Sequence, residues 1–455
     1  MKKKYDYADF FEKNFENSKV DEHEIKKFAD HCPPGIILDI GAGTGRTLGF
    51  FNSHPHLLLE SDPEMIKKLK NKCIKYQNAE VIQGHCPTIP MDDNSCAGIF
   101  ATQSTVGEIN PICVFLKEIK RTLKPNGKAL LIVLNPEVFE TTPIGIHYNA
   151  STENKDFSSF CNTLPVPNLG KGEYQTLVWL RGPERPTECF TVRQYFPNLN
   201  QWQILFKELG FEVLSNPDEN AKQKLFTFII RKPELQNELG FNPIVSFYNK
   251  IASEYDRFAN SAEYGVPSWL TPFLKRYKNV HPTVLDLACG NGYIGRIFAE
   301  QKIKTSFIIG YDIADEMVLE CEKNSSYSHV CRFNLANGLP GIKAMSIDVV
   351  TAFGLLEFIP DIDLILSDIH RTLALGGDLY CTFEATEGHD DFEVIHFGSG
   401  IEAIPHYRRS ESNISNLLKK AGFAEFYIEK KLGYKSPKTG NEVYYFYVHA
   451  VRKKL

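Results

Sequence analysis

Short runs of Ile, Leu and Val alternate with charged stretches of helical spacing along both halves of the chain. The runs in the first half predict strands at Ile36–Ile40, His56–Glu60, Glu80–Gln83, Gly98–Ala101 and Lys128–Leu134. The stretches between them predict helices at Arg46–Asn52, Pro63–Tyr76 and Ile112–Leu123. The second half repeats the pattern, with strands predicted at Val284–Leu287, Ser306–Tyr311, Val349–Ala352 and Asp378–Phe383. This alternation predicts an α/β fold, with a mostly parallel sheet and helices on both of its faces.

The chain also contains an internal repeat. The eight residues LDIGAGTG at 38–45 return as LDLACGNG at 285–292, and three further pairs of similar segments follow in the same order. Ordered similarity predicts two homologous domains, which we place at residues 1–233 and 234–455, with the boundary in the polar stretch Lys232–Pro243. Extra residues near 144–188, rich in Pro, Gly and aromatic side chains, predict a lid-like insertion in the first domain.

Composition narrows the class of protein. The 455 residues carry a net charge of -5 without a long run of Lys or Arg, so a nucleic-acid partner is not expected. The aliphatic runs are too short to cross a bilayer, and no apolar segment follows the basic start of the chain, so we expect neither a membrane segment nor a secretion signal. The 11 cysteines include no C-x-x-C pair, which favours reduced thiols in the cytoplasm, and no metal site is expected.

Each repeated glycine turn follows a predicted strand and precedes a predicted helix. Glycines let a ligand approach the backbone, and the N-terminus of a helix offers free N–H groups. An acidic residue, Glu60 or Asp312, ends the next strand, where it can accept hydrogen bonds from a ribose diol. The nicotinamide fingerprint needs a small residue where the chain has Arg46 and Tyr293, and no phosphate-binding G-x-x-x-x-G-K-[ST] loop is present. The pattern therefore predicts two pockets for an adenosine-like molecule.

The spacing D-x-G-x-G-x-G resembles motif I of the class I S-adenosylmethionine-dependent methyltransferases. The segments Gly84–Ile99, Phe333–Pro340 and Ser346–Asp361 resemble further stretches of that family, as does the R-x-L-x-x-x-G turn at Arg121–Gly127 and Arg371–Gly377. The resemblance implies two Rossmann-like domains, each with a mostly parallel seven-stranded sheet and helices on both faces. It also implies S-adenosylmethionine as the cofactor and methyl transfer as the reaction.

The same resemblance implies which residues border the cofactor. In the first domain these are Tyr7, Asp39, Gly41, Gly43, Gly45, Glu60, Ser61, His85, Cys86 and Ala101. In the second domain they are Tyr255, Asp286, Ala288, Gly290, Gly292, Asp312, Ile313, Asn334, Leu335 and Phe353. The first domain departs from the family, since His85 stands where an Asp is usual next to the adenine. Ala97 likewise replaces an Asp that the second domain keeps as Asp348.

Candidates for the acceptor side come from their position after strand four or before the last helix. They are Tyr195, His147 and Glu108 in the first domain, and Tyr407, His406 and Glu357 in the second, with the histidines as candidate bases. We expect a small-molecule acceptor, with the two domains acting on successive steps. Alternatives are one active domain beside a degenerate one, a non-catalytic S-adenosylmethionine sensor, or a tRNA or protein methyltransferase, which the acidic balance disfavours.

Overall fold

The computed structural model divides the chain into two compact units, Met1–Asn237 and Glu238–Leu455. It describes residues 21–51, 53–102, 104–141, 158–166, 172–181, 188–215, 224–234, 242–386, 388–397, 402–435 and 440–453, with Ala8, Glu12, Leu169 and Pro217. The domain limits 1–233 and 234–455 remain a prediction, because residues 235–241 of the proposed boundary lie outside this range. We refer to the two units as the first and the second domain.

The first domain alternates strands and helices as its hydrophobic pattern predicts. In chain order its elements are α1 (Glu22–Asp30), β1 (Ile36–Ile40), β2 (His56–Glu60), α2 (Pro63–Cys73), β3 (Ala79–Gln83), β4 (Cys96–Thr102), α3 (Ser104–Glu108), α4 (Ile112–Thr122), β5 (Leu123–Leu134), α5 (Pro136–Thr141), β6 (Ser158–Pro165), β7 (Glu173–Arg181), β8 (Glu188–Tyr195), α6 (Leu199–Glu208), β9 (Glu212–Ser215) and β10 (Leu225–Arg231). The described parts of the predicted insertion form the antiparallel sheet β6-β7-β8.

The second domain repeats this order with local differences. Its elements are α7 (Pro243–Ile251), α8 (Tyr255–Ser261), α9 (Val266–Leu274), β11 (Thr283–Leu287), α10 (Tyr293–Glu300), β12 (Phe307–Asp312), α11 (Asp315–Glu322), β13 (His329–Arg332), β14 (Ile347–Ala352), α12 (Asp363–Thr372), β15 (Leu373–Glu384), β16 (Asp391–Phe397), β17 (Glu402–Arg408), α13 (Glu411–Ala421), β18 (Glu425–Lys435) and β19 (Glu442–Val451). Short 3-10 turns lie at Ala252–Glu254, Lys275–Tyr277, Leu335–Asn337 and Leu356–Phe358.

The two main sheets share one topology. Their strand orders are β3-β2-β1-β4-β5-β10-β9 and β13-β12-β11-β14-β15-β19-β18, and in each sheet the next-to-last strand, β10 or β19, runs antiparallel to the other strands. The predicted fold class, two mostly parallel seven-stranded Rossmann-like sheets, is confirmed. The strand order reverses beside the first strand of each sheet, so the carboxyl ends of β1 and β4, or of β11 and β14, open a crevice where ligands of such sheets bind.

Burial follows the hydrophobic pattern closely. Val284, Leu285 and Leu287 on β11 are fully buried, as a parallel strand covered on both faces requires. Helix α2 begins where the sequence predicts, because Asp62 accepts hydrogen bonds from the backbone of Glu64 and Met65, and Pro63 occupies the first turn.

The predicted helix at Arg46–Asn52 is wrong. Residues 42–50 form a succession of turns, although the matching segment of the second domain forms α10. Gly45 and Gly49 adopt φ angles of 92° and 85°, which no right-handed helix contains. The second domain has Gly292 at φ 85° before its helix and Gly295 within it, so its left-handed residue precedes the helix rather than interrupting it. Two octapeptides that share four of their eight residues therefore lead into different local structures.

Candidate functional site

The glycine turn of the second domain brings the backbone to the mouth of the crevice. Ala288, Gly290 and Gly292 have φ angles of 59°, 52° and 85°, and α10 begins immediately after them. A Cβ placed on Gly290 would meet only the sulfur of Met317, at 3.9 Å. The turn thus exposes its backbone to open space, as a site that a ligand approaches closely requires.

Asp312 ends β12 next to this turn. Its Oδ2 accepts a hydrogen bond of 2.9 Å from the Gly290 N–H, and its Oδ1 accepts one of 2.9 Å from the Ala314 N–H. Burial raises the pKa of the Asp312 carboxyl, and these backbone bonds oppose the rise. The bonds leave lone pairs on both oxygens, so the carboxylate can still receive a diol.

Between these elements lies a cavity of about 260 Å³. Of the cofactor residues predicted for this domain, those that line it are Tyr255, Ala288, Gly290, Asp312, Ile313, Asn334, Leu335 and Phe353. The sequence did not single out the remaining apolar and aromatic wall, which includes Ile244, Tyr248, Met317, Phe333, Leu355, Phe358 and Ile359. The polar groups of the glycine turn, Asp312 and Asn334 therefore face an otherwise mainly apolar space.

Two predicted cofactor residues of the second domain, Asp286 and Gly292, do not line the cavity. Asp286 is 1% exposed and accepts hydrogen bonds from the Thr351 hydroxyl at 2.6 Å and the Tyr327 hydroxyl at 2.5 Å. Burial raises the pKa of Asp286 to about 7, despite the two hydroxyl donors. These hydrogen bonds link β11 to β14 and to the loop at Tyr327, so Asp286 stabilises the structure beneath the turn.

A second set of buried polar side chains lies next to the cavity. Nδ1 of His406 is 2.7 Å from Oε2 of Glu384, and the His406 ring packs edge-on against Phe358 at 4.9 Å between centroids. His406 and Glu384 are both buried, and Nε2 of His406 has no hydrogen-bond partner among the described residues. When Nδ1–H donates to Glu384, Nε2 carries a free lone pair and can accept a proton.

The other two acceptor-side candidates of this domain, Glu357 and Tyr407, lie in different places. Glu357 is 1% exposed and accepts a hydrogen bond of 3.0 Å from the Tyr445 hydroxyl. Tyr407 instead packs against Phe392 across the β16–β17 hairpin, with ring centroids 5.0 Å apart. It lines a different groove, with Asp361, Asp390 and Arg408. The structure therefore brings Glu357 and His406, but not Tyr407, to the side of the cavity.

The first domain holds its acidic residue in the same way. Oε2 of Glu60 accepts a hydrogen bond of 2.8 Å from the Gly43 N–H, and Oε1 accepts from the backbone of Ser61 at 2.8 Å and Asp62 at 3.0 Å. Asp39, the counterpart of Asp286, accepts from the Thr47 hydroxyl, and burial raises its pKa to about 7.

The residues around Glu60 in the first domain differ from those around Asp312 in the second. A Cβ on Gly41 would collide with the Thr105 side chain, whereas the matching residue of the second domain, Ala288, carries a Cβ. His85 directs Nδ1 to the carbonyl of Cys86 at 2.5 Å, and Cys86 is half-buried. Gly45 would collide with Leu48 and Leu69 if it carried a Cβ, and Ala101 is fully buried in β4.

Two of the three acceptor-side candidates of the first domain, Tyr195 and Glu108, lie on elements that contact each other, since the ring of Phe196 after β8 would meet a Cβ placed on Gly107 of α3. Tyr195 is buried, with its hydroxyl 3.4 Å from Oε1 of Gln201 at the start of α6, and Glu108 is the exposed last residue of α3. Tyr7 and His147 lie outside the described residues.

Two general features of the described residues bear on the kind of protein. In the part of the chain that the structure describes, no helix is both long and apolar enough to cross a membrane. No group of three or more His, Cys, Asp or Glu side chains in the described ranges is arranged to hold a metal ion.

Comparison with known proteins places both domains in one family. A model described as "Methyltransferase domain" matches residues 37–127, and another with the same description matches residues 278–422. An uncharacterised methyltransferase-like protein of Schizosaccharomyces pombe is 29% identical over 199 residues, which are 41% of this chain and 73% of that protein. A ubiquinone/menaquinone biosynthesis C-methyltransferase of Rickettsia felis is 26% identical over 193 residues, 39% of this chain and 69% of that protein.

Among solved structures, the CcbJ methyltransferase from Streptomyces caelestis aligns with a TM-score of 0.41 and 15% identity, over 47% of this chain and 90% of that chain. The regions matched by the two family models, 37–127 and 278–422, contain both glycine turns and both acidic strand ends. The chain therefore belongs to the class I S-adenosylmethionine-dependent methyltransferases, as an enzyme with two such domains in tandem and S-adenosylmethionine as its cofactor.

Proposed function

We propose that the second domain transfers the methyl group of S-adenosylmethionine to a small-molecule acceptor. The observation that carries the proposal is the cavity of about 260 Å³ that joins Gly290, Asp312 and Asn334 and lies beside the buried His406–Glu384 pair. A concave, partly open pocket of this kind favours a small acceptor over a folded protein or an RNA. The net charge of -5 also argues against RNA.

The residues fit the proposed cofactor. Bound S-adenosylmethionine supplies an electrophilic methyl group on a sulfonium, so the protein has to align the acceptor and exclude water. Asp312 would hold the ribose diol, the backbone of the glycine turn would border the methionine end, and Asn334 with Leu335 would border the adenine. His406 would accept the proton of the acceptor, and Glu384 would orient the imidazole and stabilise its charged form.

Successive action by both domains is the second candidate. It is favoured by the hydrogen bond from Gly43 to Glu60, which matches the bond from Gly290 to Asp312. Against it stand the Thr105 side chain over Gly41 and the turns at residues 42–50, where the second domain has α10. We therefore assign catalysis to the second domain. The cytoplasm is the proposed location, supported by the cysteine pattern of the sequence.

The test is transfer of an isotope-labelled methyl group to the components of a cell extract, followed by mass spectrometry. We expect label in the small-molecule fraction with the unaltered protein and with Glu60→Gln, and its loss with Asp312→Asn. Label only in protein or RNA would refute the small-molecule acceptor. Equal loss with Glu60→Gln would show that the first domain takes part in catalysis.

A further inference from the structure

A buried acidic and aromatic cluster lies on the acceptor side of the second domain. We call it the Glu357 cluster, and its members are Tyr248, Tyr264, Glu357, Glu384, His406 and Tyr445. Glu357 is its most buried acid, at 1% exposed. Its Oε1 accepts the Tyr445 hydroxyl, while its buried Oε2 has no hydrogen-bond partner in the described part of the chain. A carboxylate oxygen left without a partner in the interior is costly, so a ligand that satisfies it is expected.

The cluster adjoins the cofactor cavity. Gly354 lines that cavity, and a Cβ placed on it would lie 4.0 Å from both Oε1 of Glu357 and the hydroxyl of Tyr264. Tyr248 also lines the cavity, and its ring packs edge-on against Phe358 at 6.0 Å. Phe358 in turn contacts His406. Glu357 and Tyr264 therefore lie directly behind Gly354 in the wall of the cavity, and His406 lies behind Phe358.

The charges of the cluster do not balance. With His406 neutral, as a free lone pair on its Nε2 requires, the two carboxylates of Glu357 and Glu384 face one neighbouring cation in the described part of the chain, Arg409. The guanidinium of Arg409 donates its hydrogen bonds to the carbonyl oxygens of Leu356, Ile359, Pro360 and Tyr407. Its donors are thus directed at the backbone, and His406 pairs with Glu384. Because burial raises the pKa of Glu357 to about 7, a cation beside it would restore the ionised form.

We propose that the acceptor of the second domain is a small amine, whose ammonium group Glu357 binds among the rings of Tyr248 and Tyr264. The proposal rests on the proposed function and names its substrate class. Aromatic rings around a carboxylate suit an ammonium because the ring faces attract a cation while the acid supplies the countercharge.

The reaction balances with the residues present. The bound ammonium, R–NH₃⁺, gives one proton to Nε2 of His406, and the resulting imidazolium is stabilised by Glu384. The nitrogen lone pair then forms a bond to the methyl carbon as the carbon–sulfur bond breaks. The products are R–NH₂⁺–CH₃ and S-adenosylhomocysteine, and the proton on His406 leaves to solvent after product release.

The test compares a cation with its neutral isostere. Choline and 3,3-dimethyl-1-butanol have the same shape but differ in the charge of the head, and each is titrated by calorimetry into the full chain saturated with S-adenosylhomocysteine. We expect choline to bind at least tenfold more tightly. Glu357→Gln should lower choline affinity at least tenfold while leaving the affinity for S-adenosylhomocysteine unchanged. Glu300→Gln, at the exposed end of α10, is the matched control and should alter neither.

Equal affinity for the two probes, or no binding of either, would overturn the amine assignment while binding of S-adenosylhomocysteine left the proposed function standing. Failure of S-adenosylhomocysteine to bind would overturn both. Because the two probes are compared on the unaltered protein, the result does not depend on whether Glu357→Gln folds.

Discussion

At the scale of single residues, the chain buries ionisable groups in places where their protonation controls stability. Burial raises the pKa of Asp286 to about 7, so its carboxyl group remains neutral up to that pH. Relative to an unfolded aspartate near 3.9, the neutral form stabilises the fold fully below about pH 4, and this contribution is lost as pH rises through about 7. Above that pH the hydrogen bonds from Thr351 and Tyr327 must support a buried charge.

Thr351→Val should therefore destabilise β11 and β14 in a pH-dependent way. We expect a loss of about 1–3 kcal/mol at pH 8.5 and a smaller loss at pH 5, because the removed hydroxyl donates to the charged carboxylate. Native-state hydrogen exchange of the two strands measures it. Thr372→Val is the control, since that equally buried hydroxyl donates to the carbonyl of Ile369 and should cost the same at both pH values.

His56 has the opposite dependence. Burial between Phe51 and Phe100 lowers its pKa to about 4, below the usual value near 6.5. Its neutral form is stable above pH 6.5, and stability is lost as pH falls toward 4, by up to about 1.4 kcal/mol per pH unit.

His56→Phe should flatten the pH dependence of amide exchange in β1 and β2 between pH 6.5 and 5. His54→Gln, at a less buried position whose nitrogen contacts Ser53, should leave it unchanged. An unaltered slope in His56→Phe would contradict this explanation.

The sequence identified many but not all of the residues at the second cavity. Asp312 and Gly290 were predictable because they follow strands at fixed spacing. Tyr248 and Met317 were not, since nothing in their local sequence shows which face of a helix meets the crevice. The prediction for Tyr407 illustrates a further limit: neighbouring residues of a strand point to opposite faces, so His406 and Tyr407 could not both face the site.

At the scale of elements, the two glycine turns show how context decides the outcome of similar sequences. Their first strands agree, yet α10 forms only in the second domain. Gly49, with φ 85°, interrupts the first segment. Gly295 instead lies within a regular helix, and the ring of Tyr327 packs where a Cβ on Gly295 would stand. The left-handed backbone conformation of Gly49, which prevents a helix here, could not be predicted from the sequence repeat.

Gly290→Ala should separate folding from binding. A left-handed residue with a Cβ costs about 1–2 kcal/mol, and the added methyl group meets only Met317. It would project toward the cavity, so we expect S-adenosylhomocysteine affinity to fall at least tenfold. Gly440→Ala has a similar φ of 73° and open surroundings, so it should carry the strain without the loss of affinity. Unchanged affinity in Gly290→Ala would remove the turn from the site.

At the scale of the whole molecule, the duplication was readable from the sequence because four segments recur in order. The mostly parallel sheet of each domain was predictable from the alternation of helices and strands, but the order of the strands within it was not predicted. The differences between the two sites were harder to predict from the sequence. They depend on Thr105 over Gly41 in one domain, and on the association of Glu357 with His406, from separate segments, in the other. Contacts between residues so far apart in the sequence leave no recognisable pattern in the residues around them.

Calorimetric titration of the full chain with S-adenosylhomocysteine tests the central claim most directly. If the cavity at Asp312 holds the cofactor, Asp312→Asn should weaken the tightest binding at least tenfold, because an amide cannot accept the bonds of both oxygens. Glu60→Gln should leave that binding unchanged. The reverse result, with affinity lost in Glu60→Gln and kept in Asp312→Asn, would contradict the assignment of the cofactor to the second domain.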